Sequence, residues 1–394
     1  MKQPPLSTAS DLTLAPHVCL VLPNVYPVLA NKGTLKFVGG AELQHSIAAH
    51  LWRRMGCKVS VVTLDHGQAE SELIDGIRIL KAHTPSGGLP ILRFVHPRLT
   101  GVWAALKRAD ADIYYQPCAG YLTGVVAEFC HLHKKKSVFA GASDTDFNPA
   151  QVRLRYARDR WLYRHGLARV DAIVAQTERQ KRLCHEHVGR ESLVIPNAYD
   201  PPYPPPTSRR EYVLWVGGIR EVKRPDRFLE IARALPELRF RMIGGPVGSD
   251  HAAHAYYEAI KSAASDIANL EFLGFIPYAE TEPHFDHASV FVNTSDVEGF
   301  PNTFVQAWAR GLPTISFFDP ALRESGVYCK VSSIAEAVDA VISLSQPSPE
   351  RDAMSARCRE YQHLYHSTDS IRPLYAQLFS SLMNAQTPTA RKTT

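Results

Sequence analysis

Residues 295–315 read SDVEGFPNTFVQAWARGLPTI and hold three side chains placed for one kind of chemistry: Glu298, Asn302 and Gln306. Glu298 accepts hydrogen bonds from hydroxyl groups. Asn302 is a good N-cap for a helix-competent stretch that stops at Gly311, with Pro313 behind it. A helix begun there turns its first N–H groups and positive dipole end toward the loop, which suits an anion such as a diphosphate. Gln306, four residues on, shares that face and offers a donor and an acceptor. An anion site beside hydroxyl-reading side chains is what a nucleotide sugar requires. The same residues also describe an ordinary capped helix with an exposed glutamate.

A second constellation lies upstream, in IREVKRPD, where Arg220 and Lys223 follow a strand predicted to end at Val216. In a parallel sheet their loop opens at the edge that carries Glu298, so both cations can reach one diphosphate and neutralise charge on a departing group. Taken alone, the pair reads equally as surface charge. Asp144-Thr145-Asp146 has the D-x-D form that can hold a divalent cation, but it falls in the other half of the chain. A hydroxyl contact, or an N-cap by Asp146 before Pro149, fits it better, and no metal site is expected. The 17 histidines include close pairs, none with a third well-spaced ligand. No P-loop, nucleophile elbow or G-x-G-x-x-G fingerprint is present.

The elements that must position these residues follow from periodicity. Val18 to Leu22 is a branched apolar run closed by proline, and Gly39-Gly40-Ala41-Glu42 leads into helical spacing of Leu43, Ile47, Ala48 and Leu51. Strand, glycine loop and helix make a βα unit, in which Gly39 and Gly40 permit close approach to the backbone. Further strands are predicted at 59–64, 77–80, 113–115, 137–140 and 172–175. After the proline-rich run at 201–206 the pattern restarts, with strands at 212–216, 239–243, 272–275, 290–293 and 314–317. The expected class is α/β, with two Rossmann-like domains. The boundaries are a first domain over 1–196, a proline-rich linker over 197–210, a second domain over 211–360, and C-terminal helices with a disordered tail over 361–394.

A chain of 394 residues with 45% hydrophobic and 21% charged residues is globular and too long for one core. Seven scattered cysteines without C-x-x-C pairs argue for a reducing, cytoplasmic setting, and the N-terminus reads as a polar leader. Residues 1–196 carry 25 Lys+Arg against 16 Asp+Glu, and residues 197–394 carry 19 against 23. The basic first half suits an anionic surface or a phosphate-bearing acceptor, and equally a solvated face. Within it, residues 152–169 alternate arginine with aromatic residues and read either as a helix lying on a membrane or as a domain helix with a wet charged side.

Several motifs in order carry a resemblance: GGAE at 39–42, VIPNAYD at 194–200, WVGGIREVKRPD at 215–226, RMIGG at 241–245, FLGFIP at 272–277 and EGFPNTFVQAWARGLP at 298–313. The chain resembles the retaining glycosyltransferases of family 4, which have the GT-B fold with two domains facing across a cleft. The resemblance implies that the second domain binds a UDP- or GDP-sugar and the first binds a glycan or lipid-linked acceptor. It assigns Glu298 and the backbone of Gly299 and Phe300 to the donor hexose, and the amides of Asn302 and Thr303, with Lys223, to the diphosphate. Gly217, Gly218, Gly244 and Phe275 fall in the matching donor-side motifs, while Gly39 and Gly40 match a loop that closes over the donor. It also implies front-face attack with retention, without a cofactor, in polysaccharide or glycoconjugate synthesis.

Three positions depart from the family pattern. Gln306 stands where a second glutamate is usual, Gly218 where an arginine is frequent, with Arg220 as its proposed replacement, and Ser143-Asp144 lie near the place of an acceptor-side histidine. A cytoplasmic enzyme, peripheral to an anionic membrane and with no nucleic-acid partner, is the expected reading. A non-catalytic nucleotide-sugar-binding subunit, or a GT-B-shaped epimerase or phosphorylase, are the other classes that share this frame.

Overall fold

The computed structural model describes residues 15–30, 39–89, 92–152, 154–202, 210–248, 251–322 and 325–384. The polar leader to residue 14, most of the proline-rich run and the expected tail beyond 384 lie outside the described residues. Two parallel sheets organise the rest. The first contains β1 (His17–Val21), β2 (Lys58–Thr63), β3 (Ser71–Ile74), β4 (Ile77–Lys81), β5 (Ile113–Pro117), β6 (Lys136–Ala140), β7 (Ala172–Ala175) and β8 (Leu193–Val194). Its order is β3-β4-β2-β1-β5-β6-β7-β8, parallel except where β3 meets β4. The second contains β9 (Tyr212–Val216), β10 (Phe240–Ile243), β11 (Leu270–Gly274), β12 (Ala288–Asn293), β13 (Thr314–Ser316) and β14 (Tyr328–Lys330), in the order β11-β10-β9-β12-β13-β14.

Burial explains the legibility of these strands. Every residue of β1, β5 and β12 is buried, as expected where helices cover both faces, so these strands read as continuous apolar runs. The strands that periodicity misses are short or half-wet: β3 alternates exposed and half-buried residues, β8 has two residues and β14 has three. Such segments leave no run long enough to register.

The described residues divide into two compact units, one containing Ala41–Pro196 with the chain from Asp369 onward, the other containing Asn197–Thr368. Two features differ from the expected boundaries. Asn197, Ala198 and Tyr199 are buried in the second unit and so are not part of a free linker. The C-terminal helices are also divided: Pro349–His366 packs in the second unit, where Tyr361 meets the Trp308 ring edge-on at 5.7 Å. Thr368–Asn384 returns to the first unit, setting Tyr375 and Phe379 against Trp52 at 5.4 and 5.7 Å. Among the described residues, no helix is long and apolar enough to cross a membrane.

Candidate functional site

In the second sheet the strand order reverses direction between β9 and β12, and ligands of such sheets bind beyond the carboxyl ends at that point. The loops leaving β9 and β12 are laced together there. Thr294, fully buried, donates from Oγ1 to the Lys223 carbonyl at 2.7 Å and accepts the Trp215 indole N–H at 2.9 Å. The Asp296 N–H donates to the Val222 carbonyl at 3.0 Å, and Arg227 donates to the Thr294 carbonyl at 2.9 Å. Arg227 and Arg224 both pair with Asp296, at 2.8 and 3.6 Å.

This lacing aims Lys223 at Glu298. The ammonium bonds to Oε1 of Glu298, which also accepts from Ser295 Oγ at 2.6 Å and Asn293 Nδ2 at 3.4 Å. Burial by itself pushes the Glu298 carboxyl up, but the Lys223 charge and these hydrogen bonds outweigh it and hold the group below the usual carboxylate range. All three bonds fall on Oε1, and among the described residues Oε2 has no hydrogen-bond partner. A fixed, ionised carboxylate with one oxygen open to a ligand can accept bonds from hydroxyl groups. Arg220 is exposed and has no carboxylate partner among the described residues.

Glycine is required where neighbouring loops meet. A Cβ on Gly244 would fall 2.0 Å from the Gly217 carbonyl oxygen, so the loops after β9 and β10 touch only because residue 244 has none. The contact is stitched by Gly217 N–H to the Ile243 carbonyl at 3.0 Å and Ile219 N–H to the Gly245 carbonyl at 2.9 Å. Gly218 lies half-buried in the same turn, and Phe275 is half-buried just past β11.

Asn302 is not the helix N-cap. The helix is Asn302–Ala309, Pro301 precedes it, and no side chain caps it. Pro301 takes the cap position in an extended conformation, and the Asn302 side chain accepts from Asn197 Nδ2 at 2.8 Å. Asn197 also donates to the Phe300 carbonyl at 3.1 Å, while its own carbonyl accepts from His366 Nδ1 at 2.8 Å. The His366 ring stacks on Phe300 at 5.0 Å. Loop residues 299–302 are thus held from behind, with the Phe300 ring buried and Gly299 and Thr303 half-buried.

Gln306 is not an open hydroxyl reader on the loop side. It is buried, and its amide donates to Glu282 Oε1 at 3.0 Å. Glu282 belongs to a buried network in which Arg310 donates to Asp286 at 2.6 Å, to Glu282 at 2.7 Å and to the Tyr199 hydroxyl at 2.6 Å. Burial alone would lower the Arg310 guanidinium, but Tyr199, Glu282 and Asp286 hold it above its ordinary value. An amide at 306 satisfies Glu282 without adding a third carboxylate to one guanidinium.

In the first unit, Gly40 opens the helix Gly40–Arg54, with Gly39 just before it. Ser143 caps the short helix Asp144–Phe147 through a bond from the Thr145 N–H, and Asp146 lies inside that helix rather than capping one before Pro149. Asp146 instead accepts from the Ala142 N–H at 2.8 Å, and Asp144 pairs with Arg179 at 2.8 Å. The two carboxylates are therefore engaged apart, and among the described residues no group of three His, Cys, Asp or Glu is placed to hold a metal.

Asn197, Asn293, Ser295, Glu282, Arg310 and His366 were not assigned roles from sequence. Asn197 and Arg310 stand inside the ordered motifs, and Asn293-Thr294-Ser295 is a polar break at the end of an apolar strand. His366 and Glu282 carry no local signal.

Two buried histidines give this fold a pH dependence. Burial lowers His366 and His45 to about 4. Unfolded histidine titrates near 6.5, so each contributes stability that is full above that value and lost as pH falls toward 4, about 3 kcal/mol apiece. Asp146, pushed up to about 6 by burial, titrates in the opposing sense. Denaturant titrations from pH 7.5 to 4.5 are therefore read as wild type against His366→Gln, with the wild type losing about 3 kcal/mol more. Parallel curves would reject the neutral, Nδ1-protonated state assigned to His366.

The family model "Glycosyl transferases group 1" matches residues 210–346, and "Glycosyl transferase 4-like domain" matches residues 39–198. An "Uncharacterized glycosyltransferase" of Haemophilus influenzae is 25% identical over 183 residues, 43% of this chain, and the match spans 50% of that relative's length. Among solved structures, a sucrose-phosphate synthase from Thermosynechococcus elongatus is similar with TM-score 0.73 at 15% identity, covering 94% of this chain and 99% of the other. Anabaena HepE in complex with UDP and glucose gives 0.71 at 14%, covering 93% and 100%. "Trehalose-6-phosphate from E. coli bound with UDP-2-fluoro glucose" gives 0.67 at 13%, covering 94% and 99%.

Proposed function

The chain belongs to the family 4-like glycosyltransferases of GT-B fold, and on that premise we propose that it moves a hexose from a UDP- or GDP-sugar to a glycan or lipid-linked acceptor with retention of configuration, in polysaccharide or glycoconjugate synthesis. The observation that carries this reading is Glu298, ionised, fixed through Oε1 and open at Oε2 beside the lysine that pairs with it. Oε2 accepts hydroxyl groups of the donor hexose, with the Gly299 and Phe300 backbone alongside. Lys223 and the exposed Arg220 face the diphosphate, and the Asn302 and Thr303 amides add the positive end of their helix. Gly217, Gly218 and Gly244 let the nucleotide approach the backbone, with Phe275 and Gln306 at its margin. Ser143 and Asp144 are the acceptor-side groups. That proteins of similar fold hold UDP with glucose, or UDP-2-fluoro glucose, supports a uridine donor.

The acceptor oxygen attacks the anomeric carbon on the face from which the diphosphate leaves. The bond to the phosphate oxygen breaks as the new glycosidic bond forms, and the acceptor proton passes to that oxygen. Lys223 offsets the charge that grows on the leaving group, the interaction that strengthens most in the transition state.

The test has two stages. A thermal-shift panel of UDP, GDP and their sugars should raise the unfolding midpoint for one base, since a ligand of the folded state stabilises it in proportion to occupancy. With that donor and lipid-linked acceptors, nucleoside diphosphate release and the anomeric coupling constant of the product report transfer and retention. No stabilisation by any donor at about millimolar concentration would reject the proposal. The engagement of Gln306 by Glu282 favours one other reading, a donor-binding subunit without turnover; a donor-specific shift with no release on any acceptor would select it.

A further inference from the structure

The first unit carries a surface that sugar transfer does not use, built on the helix Ala157–Arg169. The inner face of this helix is fixed. Tyr163 and Leu167 are buried, a Cβ on Gly124 would lie 2.3 Å from the Leu162 carbonyl oxygen, and one on Gly166 would lie 2.5 Å from the Thr123 backbone. Two glycines thus bring this helix directly against Tyr121–His133, and the residues turned to water are set by that contact.

Those residues are arginine and aromatic. Arg158, Trp161 and Arg164 recur at a spacing of three, all exposed, with Trp161 62% exposed and stacked on His165 at 5.1 Å. Tyr156, just before the helix, is 50% exposed. The Arg158 guanidinium lies 3.4 Å over the Phe94 ring and so joins a second segment, where Val95 is 55% exposed. Residues 154–169 hold five arginines and one carboxylate, Asp159, which Arg158 already binds at 2.9 Å. Residues 92–98 add Arg93 and Arg98 and no acid.

An indole and a phenol standing in water beside so many cations gain little there. At a bilayer the rings enter the headgroup boundary and the guanidinium groups meet phosphate, while their stems lie along the apolar zone. We propose that the face formed by Phe94, Val95, Tyr156, Arg158, Trp161 and Arg164 docks this unit onto an anionic lipid bilayer. The occupant follows from charge complementarity: seven arginines against two carboxylates, Asp159 bound by Arg158 and Glu128 paired with His165 and Arg169, select a negative surface, and exposed aromatic and branched side chains select one with an apolar layer beneath its charge.

The whole protein is sedimented with vesicles of phosphatidylcholine alone and of phosphatidylcholine with phosphatidylglycerol. Binding is expected only to the anionic vesicles and should weaken with added salt. Trp161 is the exposed member of the five tryptophans, Trp52, Trp215 and Trp308 being buried and Trp103 half-buried, so its emission should shift blue and become shielded from acrylamide. Arg155 is exposed with its guanidinium 5.4 Å from the Tyr156 ring centre, and Arg155→Gln with Arg164→Gln should lower the partition roughly thirtyfold, while Trp161→Ser should remove the spectral change, both with an unchanged unfolding midpoint. Equal binding to neutral vesicles, or anionic binding untouched by these variants, overturns the proposal. Binding to polyglutamate as tight as to the anionic vesicles also overturns it and assigns the face to an acidic protein.

Discussion

Lys223→Ala should lower the rate of sugar transfer by roughly 10²- to 10³-fold, the loss seen when one preorganised charge-stabilising group is removed. Two effects combine. The leaving diphosphate loses its cation, which lowers kcat more than it raises KM because the charge is greatest in the transition state. In addition, Glu298 keeps its burial and loses the ammonium that holds its carboxyl down. Its pKa then rises, so as pH is lowered the residual activity of the variant should fall away at a higher pH than the wild type's activity does. Stability should fall by about 3 kcal/mol, since removing one partner of a buried pair strands the other. Lys223→Met with Glu298→Gln should lose less stability than the sum of the single changes, because the double variant leaves no orphan charge. Turnover of Lys223→Ala within a few-fold of wild type would remove Lys223 from the assigned role.

The largest effect on folding is expected from Arg310→Met. The Arg310 side chain is 1% exposed and its guanidinium touches Glu282, Asp286 and Tyr199, so its loss removes the cation that directly bridges two buried carboxylates. The expected cost is about 5 kcal/mol or more, a large share of what stabilises an ordinary domain. Adding Glu282→Gln and Asp286→Asn should restore much of that loss, because neutral side chains of the same shape need no counter-charge. A single Arg310→Met variant within about 1 kcal/mol of wild type in urea would show that the network is not the buried ionic cluster described. The cluster also bears on the site. It joins the helix Asn302–Ala309 to Tyr278–His287 and to Tyr199, and it orients Gln306. A rescued triple variant with weak donor binding would separate that positioning role from plain stability.

Much of this architecture was written locally. The buried parallel strands appear as unbroken apolar runs, and Tyr212–Val216 and Ala172–Ala175 fall where the sequence alone puts them. The proximity of Lys223 to Glu298 was also legible, since a parallel sheet carries the loops after neighbouring strands to one edge. Composition, loop glycines and motif order are properties of short stretches, and short stretches record propensity and periodicity.

What the sequence could not determine is which partner each polar side chain takes. Asn302 had the character of a cap, but Asn197, 105 positions away, claims its side chain. Gln306 had the spacing of a ligand contact, but Glu282 holds its amide. The last two helices read as one C-terminal appendage, yet Tyr361 packs on Trp308 while Tyr375 packs on Trp52 in the other unit. Each of these was decided by groups brought close only when the sheets assemble. A buried donor or acceptor must find a partner wherever the fold puts one, and that requirement acts in space rather than along the chain.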